Sequence, residues 1–503
     1  MDIVAGSVER ESDGPWELPD GWAWMAVSDL PMGGSGSVEP FRTPDEPFVL
    51  YSVPAFEAKK PEYVCGKQIE SNKQFVPSGA LLVSKINPRI NRIWCVGNHN
   101  PNDGKVIAST EWIVIQRHPV VEPDYLRHFL STERVRQYLA ANVSGVGGSL
   151  MRVNAATVGA IRVPLAPLAE QRRIVARVDA LFAEIAEGEA ALEAAREGLD
   201  TFRRALLKAA VTGELTKDWR EKSPVTETGH DLLARIRSER AAKGQAKGRG
   251  KRSPDAPPLD TAALPELPEG WAWGTVDELL EFVTSGSRGW KDYYADAGAI
   301  FVRAQNINSG VLDLSDVAYV ALPSNAEGLR TRLKVGDVLV TITGANVTVS
   351  ALVSHEIPEA YVNQHVALLR PLTIDVSDYL LLWLQAEGAG KTQLTKAAYG
   401  AGKPGLNLDN IREVLIAIPS PAEAAEILRR VSEALAASAD TLAMLDAEAA
   451  DAARLKQSIL KAAFEGRLVP QDPADEPASA MLARLRATQS TARPAKRGRR
   501  RRS

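Results

Sequence analysis

Leu18-Pro19-Asp20-Gly21-Trp22-Ala23-Trp24 returns, 249 residues later, as Leu267-Pro268-Glu269-Gly270-Trp271-Ala272-Trp273. A second echo joins Leu207-Lys208-Ala209-Ala210-Val211-Thr212-Gly213-Glu214-Leu215 to Leu460-Lys461-Ala462-Ala463-Phe464-Glu465-Gly466-Arg467-Leu468. A third joins Leu233-Ala234-Arg235-Ile236-Arg237 to Leu482-Ala483-Arg484-Leu485-Arg486, and each copy runs on into a basic stretch. A period this long marks a duplicated domain unit, not a solenoid repeat. Such a chain can fold with an internal pseudo-two-fold axis and two similar, non-identical faces. Whatever it reads, it is expected to read in two places.

Outward from these repeats, each half is a globular α/β (α+β) region followed by one long helix. In the first region, Phe48–Val53, Ala80–Ser84 and Trp112–Ile115 are short, β-branched or apolar, and flanked by Pro or Gly, which predicts strands. The second repeats the scheme with Ile300–Arg303, Asp337–Ile342 and His365–Leu369. The best internal match sets Gly79-Ala80-Leu81-Leu82-Val83-Ser84 against Gly336-Asp337-Val338-Leu339-Val340-Thr341. Elsewhere the regions differ, as expected for a shared scaffold carrying unshared surfaces.

The helices carry the clearest periodicity. A seam of Ile174, Val178, Leu181, Ile185, Gly188, Leu192, Ala195, Leu199, Phe202 and Leu206 alternates steps of four and three, a coiled-coil heptad. No proline interrupts residues 168–223. A helix of about 40–45 residues would be roughly 60–68 Å long. The second copy, Leu428, Val431, Leu435, Ser438, Leu442, Leu445, Ala449 and Ala452, keeps the spacing less cleanly. An apolar seam this long needs a partner. The economical one is the other helix of the chain, packed antiparallel; the alternative is a separate protein for each. The expected divisions are a first globular domain at 1–167, a central helix at 168–215 and a flexible charged linker at 216–266. A second globular domain at 267–420, a distal helix at 421–470 and a basic disordered tail at 471–503 complete the chain. Within the linker the one helix candidate is 231–242.

Apolar content of 45% and charged content of 24% over 503 residues are those of an ordinary globular protein with two to four domains. Cys65 and Cys95, the only cysteines, cannot form a disulfide framework for the chain. The N-terminus lacks the pattern of a signal peptide, and the longest apolar run, near Tyr379–Leu384, is too short to span a bilayer, so the expected location is cytoplasmic. A net charge of −3 excludes indiscriminate coating of nucleic acid; such affinity must come from local patches. One patch is visible: no acidic residue lies between Glu70 and Asp103, where Lys73, Lys85, Arg89 and Arg92 fall. The linker cluster of Lys243, Lys247, Arg249, Lys251 and Arg252 and the tail Arg493–Arg502 are basic runs of the kind that are either solvated or in contact with phosphates.

Catalytic patterns are weak. Gly388-Ala389-Gly390-Lys391-Thr392 resembles the end of a phosphate-binding loop, but Gln385 stands where the first glycine is needed and the preceding segment reads as a helix. Asp45, Glu57 and Lys59 match a loose metal-nuclease spacing, but Pro54 breaks the strand that should carry the last two. Asn87-Pro88-Arg89 does not supply a methyltransferase motif, and the six histidines show no metal-ligand spacing. The chain reads as a non-catalytic binding protein with no metal or cofactor of its own.

At Pro167-Leu168-Ala169-Glu170-Gln171-Arg172-Arg173-Ile174, opening the long helix, the chain resembles the specificity (S) subunit of type I restriction–modification systems. The likeness rests also on the paired Gly-Trp-x-Trp openings and on Ile161-Arg162-Val163-Pro164. The glycine-rich turns Ser144–Gly148 and Tyr399–Lys403 and the Leu-Lys-Ala-Ala helix ends add to it. The second half departs from the pattern: Glu423-Ala424-Ala425-Glu426-Ile427 replaces the Glu-Gln element, and Ser420 follows Pro419. The resemblance implies a subunit with two target-recognition domains, each binding one half of a split, asymmetric DNA site, with the two helices as spacer. It implies two methyltransferase subunits that methylate adenine with S-adenosylmethionine, and a restriction/translocase subunit that uses ATP and Mg. Glu170, Gln171 and the large seam residues become the expected helix-pair and partner-docking positions. The competing reading is a two-headed coiled-coil scaffold that binds proteins.

Near a duplex, Arg and Lys suit phosphates and guanine, and Asn and Gln suit adenine. In the first domain the candidates are Asn72, Lys73, Lys85, Asn87, Arg89 and Arg92, with Asn87 open to a plain turn reading because it precedes Pro88. In the second they are Ser287, Arg288, Lys291, Arg303, Gln305, Asn306, Asn308, Asn346 and Lys403, with Thr343, Asn363 and Gln364 weaker. Trp290, Tyr293 and Tyr294 are read as scaffold.

Overall fold

The computed structural model describes residues 14–144, 151–223, 226–244, 264–286, 289–323, 329–399 and 404–492. Two compact units divide the chain: one is Met1–Leu192 with Asp446–Ser503, the other Glu193–Leu445. The division falls inside both long helices, Leu168–Val211 and Pro421–Phe464, each of 44 residues. Each unit therefore holds the start of one long helix and the end of the other.

In the first unit the strand Ala23–Ala26 pairs antiparallel with Arg162–Leu165 beneath the helix start. Above it stand a five-stranded sheet, ordered Ser37–Val38, Lys73–Phe75, Lys105–Ser109, Pro47–Tyr51, Glu62–Cys65, and a three-stranded one, ordered Ile93–Cys95, Leu81–Ser84, Trp112–Ile115. The second unit repeats the base, with Ala272–Thr275 antiparallel to Leu415–Ile418. Its larger sheet has six strands, ordered Leu280–Ser285, Val366–Pro371, Val338–Thr341, Ser350–Leu352, Gly310–Leu312, Ile307–Asn308. A four-stranded sheet of Tyr294–Ala295, Ala318–Val320, Ala299–Val302 and Ala360–Val362 lies beside it. The matched pair Leu81–Ser84 and Val338–Thr341 are fully buried strands flanked on both sides in the two domains, which is why their sequences stayed alike. The six predicted strands all form, within a residue or two at each end.

The repeats interlock crosswise. In the first unit the opening Leu-Pro-x-Gly-Trp turn packs on the helix end of the second copy: Trp22 shares a core with Leu460, Ala463 and Phe464. In the second unit Trp271 shares a core with Leu206, Leu207, Ala210 and Val211 from the first copy. Both turns are closed by the Trp N–H on the Pro carbonyl at 3.1 Å, with Gly21 (φ +80°) and Gly270 (φ +81°) at the position that requires positive φ. The glycine carbonyls then accept the first N–H of a short helix, Ala478 N to Gly21 O at 2.8 Å and Gly229 N to Gly270 O at 2.7 Å.

Those short helices correct the expected linker and tail. Gly229–Gly244 buries Leu232, Leu233 and Ile236 in the second unit, and Ala478–Ala492 buries Met481, Leu482 and Leu485 in the first. The first forms where the sequence offered its helix candidate, 231–242; in the tail, charged surroundings masked three apolar positions at helical spacing, enough to hold a helix once a core is at hand. Lys247, Arg249, Lys251, Arg252 and Arg493–Arg502 lie outside the described residues, as do Gly145–Gly148 of the first glycine-rich turn.

Within each unit the two helical segments run antiparallel, as expected. In the first, Lys456 Nζ bonds Glu189 at 2.7 Å while Arg173 bonds Asp475 at 2.7 Å. In the second, Arg430 bonds the Leu215 carbonyl at 2.8 Å. The seam is closed unevenly. Ile174, Val178 and Val431 are buried, and Leu181, Ile185, Leu192, Leu199, Leu428, Leu435 and Leu445 are half-buried. Phe202 and Leu442, expected in the seam, are 46% and 43% exposed. Around them the sequence is rich in Ala and Gly, too small to close a groove over a large side chain. Among the described residues no helix is long and apolar enough to cross a membrane.

Gly213 (φ +78°) and Gly466 (φ +70°) end the long helices against the opposite turn, where an added Cβ would lie 2.6 Å from Pro268 and 2.3 Å from Pro19. Substituting alanine at either should cost about 1–3 kcal/mol. Urea unfolding followed through tryptophan fluorescence checks this, and a loss below about 0.5 kcal/mol would show that the turn can retreat.

Candidate nucleic-acid interface

The frame of each candidate reader rests on one buried hydrogen bond. Trp22 Nε1 donates to Glu170 Oε2 at 3.0 Å, and Trp271 Nε1 donates to Glu423 Oε2 at 2.9 Å. Both carboxyls are buried at the start of a long helix. Tyr125 donates to the Pro164 carbonyl at 2.5 Å and Tyr379 to that of Ala417 at 2.8 Å, tying a domain helix to the base strand in each unit. Glu423 thus keeps the acceptor role of Glu170 although its neighbours changed. Gln171 is wholly buried; its amide accepts from Glu122 N and donates to the carbonyls of Val120 and Ala166. Glu170 and Gln171, expected at the docking surface, are internal fasteners.

The two carboxyls differ in their company. Glu423 also accepts from Thr216 Oγ1 at 2.7 Å and from Arg220 at 2.7 Å. In the other copy Val469 and Pro473 stand at the matching places, and Glu170 Oε1 is buried without a partner. Burial pushes the Glu170 carboxyl above its ordinary value, against the Trp22 hydrogen bond and Arg173, which pull the other way.

In the first domain the loop 85–92 connects the strands Leu81–Ser84 and Ile93–Cys95. Asn87 (φ +46°) and Asn91 (φ +51°) both take the left-handed conformation that Asn tolerates, so the turn reading of Asn87 is the one the structure adopts. Asn87 N donates to Met151 O at 3.0 Å and Asn91 Nδ2 to Leu130 O at 2.8 Å, which pins both ends. Arg89 and Ile90 stand exposed at the tip. Lys85 Nζ donates to Thr110 O at 2.6 Å, and Arg92 pairs with Glu57 at 3.1 Å. Lys73 leaves the candidate set: it is buried, bonded to Ser71 through its carbonyl at 3.0 Å and its hydroxyl at 2.5 Å, and its ammonium is held below the usual lysine range by burial. Its position on a strand next to exposed Asn72 hid this from a reading by residue type.

In the second domain, Arg303, Gln305, Asn306 and Asn308 come together on one turn. Asn306 is buried and saturated: its Oδ1 accepts from Arg303 N at 2.9 Å, and its Nδ2 donates to Asp313 O at 3.0 Å and Asp316 O at 2.7 Å. It organises the turn and cannot touch a base. Around it Gln305 and Asn308 are exposed, Gln305 bonding Asp316 at 3.3 Å and Arg303 pairing with the same carboxylate at 3.6 Å. Asp316 was invisible to a search for donors. Lys291 is exposed beside buried Trp290, whose ring stacks on Phe301 at 5.4 Å as scaffold. Tyr293 packs partly buried beside it, and Tyr294 is half exposed. Asn346 is exposed on a separate loop, and Ser287, Arg288 and Lys403 lie outside the described residues.

The catalytic look-alikes have other partners. Lys391 donates to Thr348 Oγ1 at 2.8 Å, holding that residue at φ +75°, and a Cβ on Gly390 would lie 2.7 Å from Trp383. The glycine-rich run is thus packing. Asp45 lies 3.9 Å from Lys67, Glu57 pairs with Arg92, and Lys59 lies over the Phe56 ring.

Residues 50–194 match the family model described as the type I restriction modification DNA specificity domain. The chain is 27% identical to the EcoBI specificity subunit of Escherichia coli, over 69% of this chain and 68% of that one. It is 25% identical to the EcoKI specificity subunit of Escherichia coli K12, over 74% and 73%. A chain in a solved structure of a type I R-M system shares the fold, with a TM-score of 0.63 at 20% identity, covering 90% of this chain and 100% of that one. Over about two thirds of its length or more, the chain is thus similar to the specificity subunits of type I restriction–modification systems.

A carboxyl raised in the folded state contributes stability that is present below its unfolded value and lost as pH rises through the folded one. Stability of the first unit should therefore fall as pH rises from about 4 toward neutrality, and Glu170→Gln, which keeps an acceptor for Trp22, should flatten that slope. Urea midpoints across this range test it; equal slopes in both proteins would show that Glu170 stays ionised.

Proposed function

We propose that this chain is the sequence reader of a type I restriction–modification complex, recognising a bipartite, asymmetric DNA site with one half assigned to each domain. The observation that carries the reading is the contrast within the repeat. The buried Trp–Glu and Tyr–carbonyl bonds of the frame recur in both copies, while the loops above share neither sequence nor sheet order. Two different readers on one frame suit a site with two different halves. The chain supplies no catalytic step in this reading. Two methyltransferase subunits methylate adenine with S-adenosylmethionine, and the restriction/translocase subunit brings ATP and Mg chemistry. Phe202 and Leu442, left exposed on the long helices, offer apolar side chains to a docking subunit.

In a host expressing the chain with its methyltransferase, methylome sequencing should reveal a new bipartite adenine motif; no new motif would defeat the reading. Gln305→Ala should relax one half of that motif only, at about 1–3 kcal/mol for a base contact. Competition binding with half-site variants measures this, and equal loss at both halves would remove Gln305 from the reader.

A further inference from the structure

The six-stranded sheet of the second domain ends in a two-stranded ribbon, Ile307–Asn308 against Gly310–Leu312, with Ile307 opposite Leu312 and Asn308 opposite Val311. The first pair faces inward: Ile307 is fully buried and Leu312 packs on the same core. By strand alternation the second pair shares the outer face, and Asn308 and Val311 are both exposed, Val311 at 64%. Residues directly opposite on one face have Cβ atoms about 4.5–5.5 Å apart. An amide and a branched aliphatic group therefore stand side by side at the edge of the fold.

A single exposed valine is ordinary. Its setting is not. The ribbon is rigid from three sides: Val311 is also in parallel register with Leu352, the tight turn uses Gly310 at φ +93°, where a Cβ would meet Gln385 at 3.0 Å, and buried Asn306 anchors the strand that enters it. Gln305 and Arg303 lie immediately before it. The major groove admits a two-stranded ribbon, and there an A·T pair presents the adenine N7 acceptor and N6 donor beside the thymine methyl group. An Asn amide matches the first two, and an aliphatic side chain matches the third.

We infer that the ribbon reads an A·T pair in the half-site of the second domain, with the Asn308 amide on adenine and the Val311 side chain on the thymine methyl group. The inference rests on the DNA-reading function proposed above and adds an apolar contact that a search for polar residues passes over. Val311 excludes water from the methyl; a cytosine opposite guanine has no methyl group for it to cover.

The test uses the full chain with its methyltransferase and duplexes bearing the motif found by methylome sequencing, with each thymine of the second half replaced in turn by deoxyuridine. Wild-type binding should weaken about fourfold at one such position, the worth of one buried methyl group. Val311→Ala should bind the thymine duplex less tightly and be indifferent to that replacement, and Asn308→Ala should lose preference at the same base pair. If wild-type binding is specific yet insensitive at every position, or if the valine variant keeps the full sensitivity, the inference falls while the DNA-reading function stands. A second half without any A·T pair also overturns it. Absence of specific duplex binding would overturn both.

Discussion

A tryptophan N–H buried against a glutamate at the mouth of a long helix is the constraint on which the rest depends. Burying a carboxyl is expensive unless it is hydrogen-bonded, and burying an indole N–H unpaired is costly too. Each group meets the need of the other, so the opening turn and the helix start are fixed together. The paired base strands, the glycine that ends the opposite helix and the short helix capped by a glycine carbonyl all gather at that point. Because every participant is a framework residue, the domain above can change its loops without disturbing the joint.

Duplication did not leave two equal joints. At Glu423, Thr216 and Arg220 complete the shell of donors and neutralise the charge. At Glu170 the corresponding side chains are Val469 and Pro473, one oxygen is orphaned, and stability passes to the neighbouring Gln171 with its three hydrogen bonds to the backbone. The second copy has Ala424 in place of that glutamine. Each copy thus anchors its helix start with a different secondary fastener, an ion pair in one and an amide clamp in the other. The change that looks in sequence like the loss of a motif is, in space, an exchange of one set of donors for another.

The candidate reading residues were legible by type and only partly by role. Gln305, Asn308 and Arg89 are exposed where a partner could meet them, while Lys73, Asn87 and Asn306 turned out to serve the backbone. A short polar side chain satisfies a buried carbonyl as readily as a base edge, and residue type cannot separate the two. Val311 and Asp316 were missed for the converse reason: an aliphatic and an acidic residue carry no nucleic-acid signature until their neighbours are known.

By itself the sequence determined the duplication, six central strands of the two domains and the two long helices, because periodicity, turn chemistry and repeat spacing are local properties. It also located the conserved pieces of the repeat, Leu-Pro-x-Gly-Trp and Leu-Lys-Ala-Ala. Only the tertiary structure decided that each piece packs against the opposite copy's partner, that the linker helix and an unexpected tail helix join those cores, and that Phe202 and Leu442 stay exposed in the helix seam. Those outcomes depend on which surfaces meet across more than two hundred residues of chain, and burial of an apolar face is decided by what lies opposite it, not by the face itself.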